Sequence, residues 1–465
     1  MSQRYDCIIV GTGPAGIFAA WELCHNSDLK ILMLEKGRDI TSRYCHLANT
    51  GQNCVHCQPC AIVSGWGGAG AFSDGKLTLT TDFGGWLDEY IGVAKLKELI
   101  DYIDQIYLQF GAPDKVHGLD SERIQEFQRQ AAAVELQLIP AQVRHLGTDR
   151  AYEILARMRH ALADRGVEVR TLTTVRSLLV ENKEIKGVEL ADGQQIYARY
   201  VITAPGREGS EWFAKEAQRL GLRAHANPVD IGIRVEVPAA VLSHLTDIVY
   251  ESKLIYYSPT FDDQVRTFCM NPYGQVVVEN NGGLLTVNGH SYANKKTDNT
   301  NFALLVSKSF TEPFREPISY GKYIASLANM LGGGVLVQRL GDLLDGRRST
   351  PERIARGLVR PTLPDATPGD LSLVLPYRFL QSLLEMLSAF DKIAPGVYSR
   401  HTLLYGVEVK FYSSRVELTA ELETAIPGLF AGGDGAGVTR GLAQASAAGV
   451  HMARAILQRS VSSNK

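Results

Sequence analysis

The chain has 465 residues, of which 45% are hydrophobic and 21% charged, with a formal net charge of -2 and a pI near 6.6. That length favours two intertwined domains over one, and the near-neutral balance excludes the basic footprint of a nucleic-acid or anionic-membrane binder. No apolar run reaches the eighteen or so residues of a spanning helix.

Tyr5–Val10 predicts a short buried strand, and it stops at Gly11, so no signal peptide is read. Gly11-Thr-Gly-Pro14-Ala15-Gly16 then predicts a glycine turn opening a helix at Ile17–Leu23. A second strand, Lys30–Leu34, ends in Glu35 and Lys36, about twenty residues past the turn. Gly11 permits the tight turn, Gly13 lets the backbone approach a pyrophosphate, and Gly16 lets helix and strand pack closely. The helix N-terminus is expected to hold the phosphates, and Glu35 to accept from a ribose 2′-OH.

Seven cysteines without a secretion signal point to thiol, metal or redox chemistry in a reducing cytoplasm rather than to a disulfide framework. Cys45, Cys54, Cys57 and Cys60 offer four soft ligands, suited to zinc or a [4Fe–4S] cluster. Pro59 precedes the last cysteine instead of following it, so the run departs from the ferredoxin pattern. A redox-active dithiol and a purely structural role remain open. The loop Gly65–Leu77 follows. Gly67 and Gly68 let the backbone pass close to a cofactor, and Ser73, Asp74 and Lys76 are expected to bond to its polar edge or phosphates.

Residues 85–135 have helical spacing, and Tyr152, Leu155, Met158 and Leu162 form a helix stripe. Strands are expected over Val167–Arg176, Glu184–Leu190 and Gln194–Thr203, the last ending in a turn at Gly206. The middle of the chain carries strand-like Val229–Val237 and Gln275–Glu279 and a helical Tyr377–Leu387. His290, in a turn-like Asn-Gly-His-Ser cluster, is either a general acid or base or a loop histidine. Glu408, Lys410 and Tyr412 alternate along a strand and share a face. They either line a pocket for an anionic or carbonyl-bearing substrate or form the solvated face of an edge strand. Near the end, Ile426–Ala431 leads into Gly433-Asp434, and a helix starts near Gly441. There Asp434 can accept from ribityl hydroxyls, and the helix N-terminus can stabilise a reduced flavin.

The stretches Gly65–Leu77, Arg266–Gly274, Val287–Ser291, Asn299–Val306, Tyr405–Tyr412 and Gly433–Gly441 together resemble a bacterial and archaeal family of FAD-dependent dehydrogenases, or NAD(P)/FAD-dependent oxidoreductases. That family lies within the glutathione-reductase-like FAD superfamily, and the likeness spans nearly the whole chain. It implies an α/β fold: a discontinuous Rossmann-type FAD domain (1–80, 140–225 and 405–465), a helical insertion (81–139) and an inserted mixed β-sheet substrate domain (226–404). It implies FAD, with a small-molecule substrate passing a hydride to flavin N5. NAD(P)H as co-substrate and a separate electron-transfer partner stay open, since no second glycine-rich dinucleotide turn is seen. Two other readings are a monooxygenase using NAD(P)H and O2, and a flavoprotein that modifies or senses a macromolecule.

Overall fold

The computed structural model describes residues 4–46, 55, 57–73, 75–225, 227–291, 296–310, 313–314, 316–411 and 413–462. It divides into two compact units. Met1–Asp114, Arg144–Asn227 and Tyr412–Lys465 form the first, and Lys115–Val143 with Pro228–Phe411 the second.

In the first unit, strands β1 (Arg4–Val10), β2 (Ile31–Leu34), β3 (Glu168–Arg170), β4 (Val175–Glu181), β5 (Glu184–Leu190) and β6 (Gln195–Thr203) form one sheet in the order β3-β2-β1-β6-β5-β4. Leu429–Ala431 also pairs with β6, in parallel. Strand β1 is parallel to both β2 and β6, and β2 to β3, whereas β4 and β5 pair antiparallel. Ile8, Ile9, Leu32, Met33, Val201 and Ile202 are fully buried, as a parallel sheet covered on both faces requires. The helices Pro14–Asn26 and Leu442–Ser462 pack on each other, and a Cβ on Gly449 would lie 2.1 Å from the Ala15 carbonyl oxygen. Only glycine permits that approach. The single strand expected over Val167–Arg176 is two strands, because Leu172 adopts φ 52° and breaks the run. Its halves pair differently, β3 with β2 and β4 with β5.

In the second unit, β7 (Val229–Pro238), β8 (Lys253–Tyr257), β9 (Gln264–Asn271), β10 (Gln275–Asn281), β11 (Leu284–His290), β12 (Asn299–Lys308), β13 (Leu336–Arg339) and β14 (Leu403–Lys410) are the main strands. The large sheet runs Thr367–Pro368, β13, β14, β7, β12, β9, β8, Leu136–Ile139, and β10 and β11 make a separate hairpin. Strand β7 alternates strictly. Val229, Ile231, Ile233, Val235 and Val237 enter the apolar core with Phe302, Leu304, Val306 and the helix Tyr377–Asp391. Asp230, Arg234 and Glu236 occupy the other face, as the period of two dictates. All three are also fully buried, so this sheet has one apolar and one polar interior face.

Two boundaries differ from expectation. The stretch 81–139 is not one insertion. Helices Asp88–Ile91 and Val93–Gln109 belong to the first unit, where Leu96, Leu99 and Ile103 are buried; Ser121–Ala132 and Leu136–Ile139 belong to the second, where Leu136–Ile139 pairs with β8. The segment expected to open at 405 begins inside β14, which is held between β13 and β7. It is therefore no edge strand, and its eight residues are all buried.

On the polar face the Arg234 guanidinium donates to Glu408 from both Nε (2.7 Å) and Nη2 (2.8 Å), with both side chains at 0% exposure. Removing one member of such a pair leaves the other charge buried and alone. Arg234→Met is expected to destabilise the second unit by about 3–5 kcal/mol, and adding Glu408→Leu to that variant should recover most of the loss. Calorimetric unfolding of the single and double variants checks this, and equal destabilisation in the two would contradict it.

Candidate functional site

β1, β6 and Leu429–Ala431 all run parallel and end at glycine-containing turns, and in open α/β sheets such carboxyl ends border the ligand crevice. Gly11 has φ 103°, and a Cβ there would lie 2.2 Å from the Ala204 carbonyl oxygen. Four separate stretches converge around it. The Gly67 N–H donates to the Thr12 carbonyl at 2.9 Å, and an added Cβ on Gly68 would lie 3.2 Å from Gly13. One on Gly433 would lie 3.3 Å from Ala15, and one on Gly435 2.3 Å from the Gly206 oxygen. A Cβ on Gly13, Gly206 or Gly441 would meet nothing within 4 Å. The crevice is thus rimmed by bare backbone with room in front of it.

Asp434 sits in this rim. Burial pushes its carboxyl up, against nearby Arg207 and hydrogen bonds from the Gly441 N–H and the Thr439 hydroxyl (2.7 Å). Gly441 immediately precedes the 21-residue helix Leu442–Ser462, whose N-terminus supplies positive potential. Pro14 opens the first helix at a position whose N–H would have no helical partner in any case. A glycine turn at a helix N-terminus for a pyrophosphate, an acidic acceptor, and a second helix N-terminus together fit FAD.

One expected contact is not open to a ligand. The Glu35 carboxylate, 6% exposed, accepts from the Thr12 N–H (3.1 Å) and hydroxyl (2.9 Å), the Gly37 N–H (2.8 Å) and the Gly65 N–H (2.9 Å). A carboxylate offers about four lone-pair sites, so none is left for a ribose hydroxyl. Glu35 instead ties the Gly11–Gly16 turn to the Gly65 loop. Lys36 pairs with Glu208, which also accepts from Ser64 (3.1 Å), and burial lowers the Lys36 ammonium.

Arg43, not singled out from the sequence, holds the same loop. Its guanidinium donates to the carbonyls of Ala61, Ile62, Trp66 and Gly68 at 2.6–3.1 Å, and its carbon lies 4.9 Å from the Phe72 ring centroid. Burial lowers it to about 10, so it stays charged at neutral pH. Isolated between unrelated residues, Arg43 carried no motif. Ser73 braces the loop exit: its hydroxyl donates to Gly70 (3.0 Å) and accepts from the Gly75 N–H (3.2 Å). Lys76 lies in the short strand Lys76–Thr78, and Asp74 is outside the described residues.

Cys45 is buried, and Cys57 and Cys60 are half-buried. Burial raises the Cys60 thiol, opposed by hydrogen bonds from the Ile62 and Val63 N–H groups. Among the described residues no group of three or more His, Cys, Asp or Glu could hold a metal ion; Cys54 lies outside them.

In the second unit, Glu408 and Lys410 do share a face. Lys410 Nζ is 3.0 Å from Glu408 Oε1 and 3.7 Å from Glu279 Oε2, and Asn288 donates to Glu279 at 3.1 Å. Arg234 also donates to the Cys269 carbonyl and to the Asn271 and Asn301 side-chain oxygens at 2.8–3.1 Å. Glu408 is thus held in ion pairs with Arg234 and Lys410. His290 closes strand β11 opposite Gln275 and is half-buried, so the turn expected there is a strand end. Tyr412 lies outside the described residues.

These features define an α/β oxidoreductase with a discontinuous dinucleotide-binding unit. The chain belongs to the FAD dependent oxidoreductase family, whose model matches residues 6–281; residues 228–411 match a second model, the FAD-dependent protein, C-terminal domain-like. It is therefore an FAD-dependent enzyme. An uncharacterised protein of Clostridium beijerinckii is 27% identical over 479 residues, covering 97% of this chain and 80% of that one. Solved structures of similar fold include the L-proline dehydrogenase of P. horikoshii, 13% identical with a TM-score of 0.44 over 99% of this chain and 95% of that one. The glycine oxidase of Geobacillus kaustophilus is 13% identical, TM-score 0.40, over 98% and 95%.

Two variants separate cofactor contact from scaffold. Gly13→Val places a side chain only in the open crevice, so the fold should persist while FAD binds about ten- to a hundred-fold more weakly, roughly 1.4–2.8 kcal/mol. Equilibrium titration with FAD reads this. Glu35→Gln should lower the stability of the flavin-free protein by about 1.5–3 kcal/mol, the scale of charged hydrogen bonds. An unchanged melt with weakened FAD binding would restore the ribose role.

Proposed function

We propose that this enzyme is a dehydrogenase that moves a hydride between a small organic substrate and flavin N5. The observation that carries the reading is the convergence of the Gly11, Gly67, Gly206 and Gly433 turns on one bare-backbone crevice. Gly11–Gly16 and the N-terminus of the first helix are suited to the pyrophosphate, and Asp434 to a ribityl hydroxyl. The N-terminus of Leu442–Ser462 is suited to the polar end of the ring. When bound, FAD supplies the two-electron chemistry. The chain's residues bind it, orient it and exclude water from the crevice.

The second unit is read as the substrate domain, because its polar sheet face gathers Arg234, Glu408, Lys410 and Glu279 out of water. Its partner would be a small molecule, with a separate acceptor taking the electrons onward. Unbridged Cys24, Cys57 and Cys60 support a reducing, cytoplasmic setting. No helix among the described residues is long and apolar enough to cross a membrane.

The absorption spectrum of anaerobically purified protein, before and after dithionite, tests the reading. Flavin bands that bleach fully with no iron in the sample are expected. Protein that retains no flavin under any condition would refute it, and iron with a broad visible shoulder would reinstate a cluster at the cysteines.

A further inference from the structure

Among the described residues, charged side chains on the polar face of the second unit's sheet include Asp230, Arg234, Glu236, Arg266, Glu408 and Lys410, with Glu279 of the β10–β11 hairpin 3.7 Å from Lys410. Arg234 is bound by Glu408 at two points and by four further acceptors. Asp230 stands directly across the ladder from Lys410, yet its carboxylate is taken by Arg266 and by the Ser307 hydroxyl. Lys410 is therefore the incompletely engaged cation of this group. It is 5% exposed and has three N–H donors, and among the described residues its ion-pair partners are Glu408 at 3.0 Å and Glu279 at 3.7 Å. Glu279 at 3.7 Å is beyond hydrogen-bond length. An ammonium removed from water with donors left over is unfavourable unless something else accepts them. Beside it lies the half-buried Phe268 ring, its centroid 5.8 Å from Nζ and 4.8 Å from the Arg266 guanidinium carbon.

We infer that Lys410 and Phe268 form a subsite for a planar substrate bearing a hydroxyl or carbonyl, with Lys410 holding its oxygen as that oxygen takes negative charge. This rests on the oxidoreductase reading and narrows its substrate class. A donor-only cation favours an oxyanion over its neutral acid and disfavours an ammonium or iminium at the same place. Arg234 acts through Glu408 as a positioning residue: by fixing both carboxylate oxygens it fixes where Lys410 points. Glu408 and Glu279 flank the lysine without consuming all its donors.

The probe is 4-nitrophenol, whose phenolate is yellow and whose phenol is not. Difference spectra of the holoprotein, with FAD content measured on the same sample, should show the phenolate bound roughly ten-fold more tightly than the phenol, as a buried neighbouring cation requires. Lys410→Met should abolish that preference at unchanged FAD content, and Lys410→Arg should keep it. The inference is overturned if wild-type protein binds no dye at millimolar concentration or binds both forms equally. It is also overturned if Lys410→Met prefers the phenolate as wild type does. Should the Met variant not fold, the wild-type and Arg spectra decide alone. Protein that holds FAD but ignores the dye refutes the subsite alone, whereas protein that ionises the dye without holding flavin refutes the cofactor reading alone.

Discussion

The carboxylate of Glu35 is the constraint on which the first unit's crevice depends. A buried anion needs donors on every side, and here Thr12, Gly37 and Gly65 supply them from three separate stretches of chain. Satisfying one charge thereby fixes the glycine turn, the exit of β2 and the following loop in a single arrangement. Arg43 completes the arrangement from the other side of the loop, donating to carbonyls that would otherwise be buried without partners. Trp66, fully buried and donating to the Leu155 carbonyl at 2.8 Å, pins the same loop to a helix. The Gly65 loop that rims the crevice is thus held by several side-chain hydrogen bonds.

The second unit solves a different problem with the same physics. Its central strand is written with period two, and water excluded from one face leaves apolar contacts to stabilise it. Excluding water from the other face as well brings charged groups indoors, Asp230, Arg234, Glu236 and Glu408 among them. The ion pairing runs diagonally across strands: Arg234 with Glu408, Arg266 with Asp230. Replacing such a network with apolar residues is often neutral or stabilising, so its presence here is not explained by stability. A polar interior that costs folding energy is expected where recognition needs fixed charges.

Much of the first unit was legible because its signals are local. Strand, glycine turn and helix follow one another within residues 5–23, and the Asp434 turn repeats the logic near the end. What was not legible depended on distant partners. Glu35 reads as a ribose acceptor until Gly65, thirty positions away, is seen to donate to it. Arg43 has no motif. The Glu408–Lys410 alternation was readable as a shared face, but not whether that face met water. The answer required knowing that β14 lies between β13 and β7, a long-range pairing no spacing encodes. Leu172 shows the limit from the other direction: a leucine with φ 52° breaks a run that every propensity favours as one strand.

The cysteines mark where chemistry and geometry part. Four thiols within a short stretch suggest soft-metal ligation by number alone, yet ligation demands convergence on one point, and the described thiols do not gather in that way. Cys60 lies instead against two backbone N–H groups and near Arg43, in a setting whose donors and cation favour a thiolate while burial opposes it. Burial wins, so the thiol is held above its ordinary value. Arg43 is itself held by the carbonyls of the loop that rims the crevice. The cysteine segment and the cofactor loop thus share one cation, and their stabilities are coupled through it.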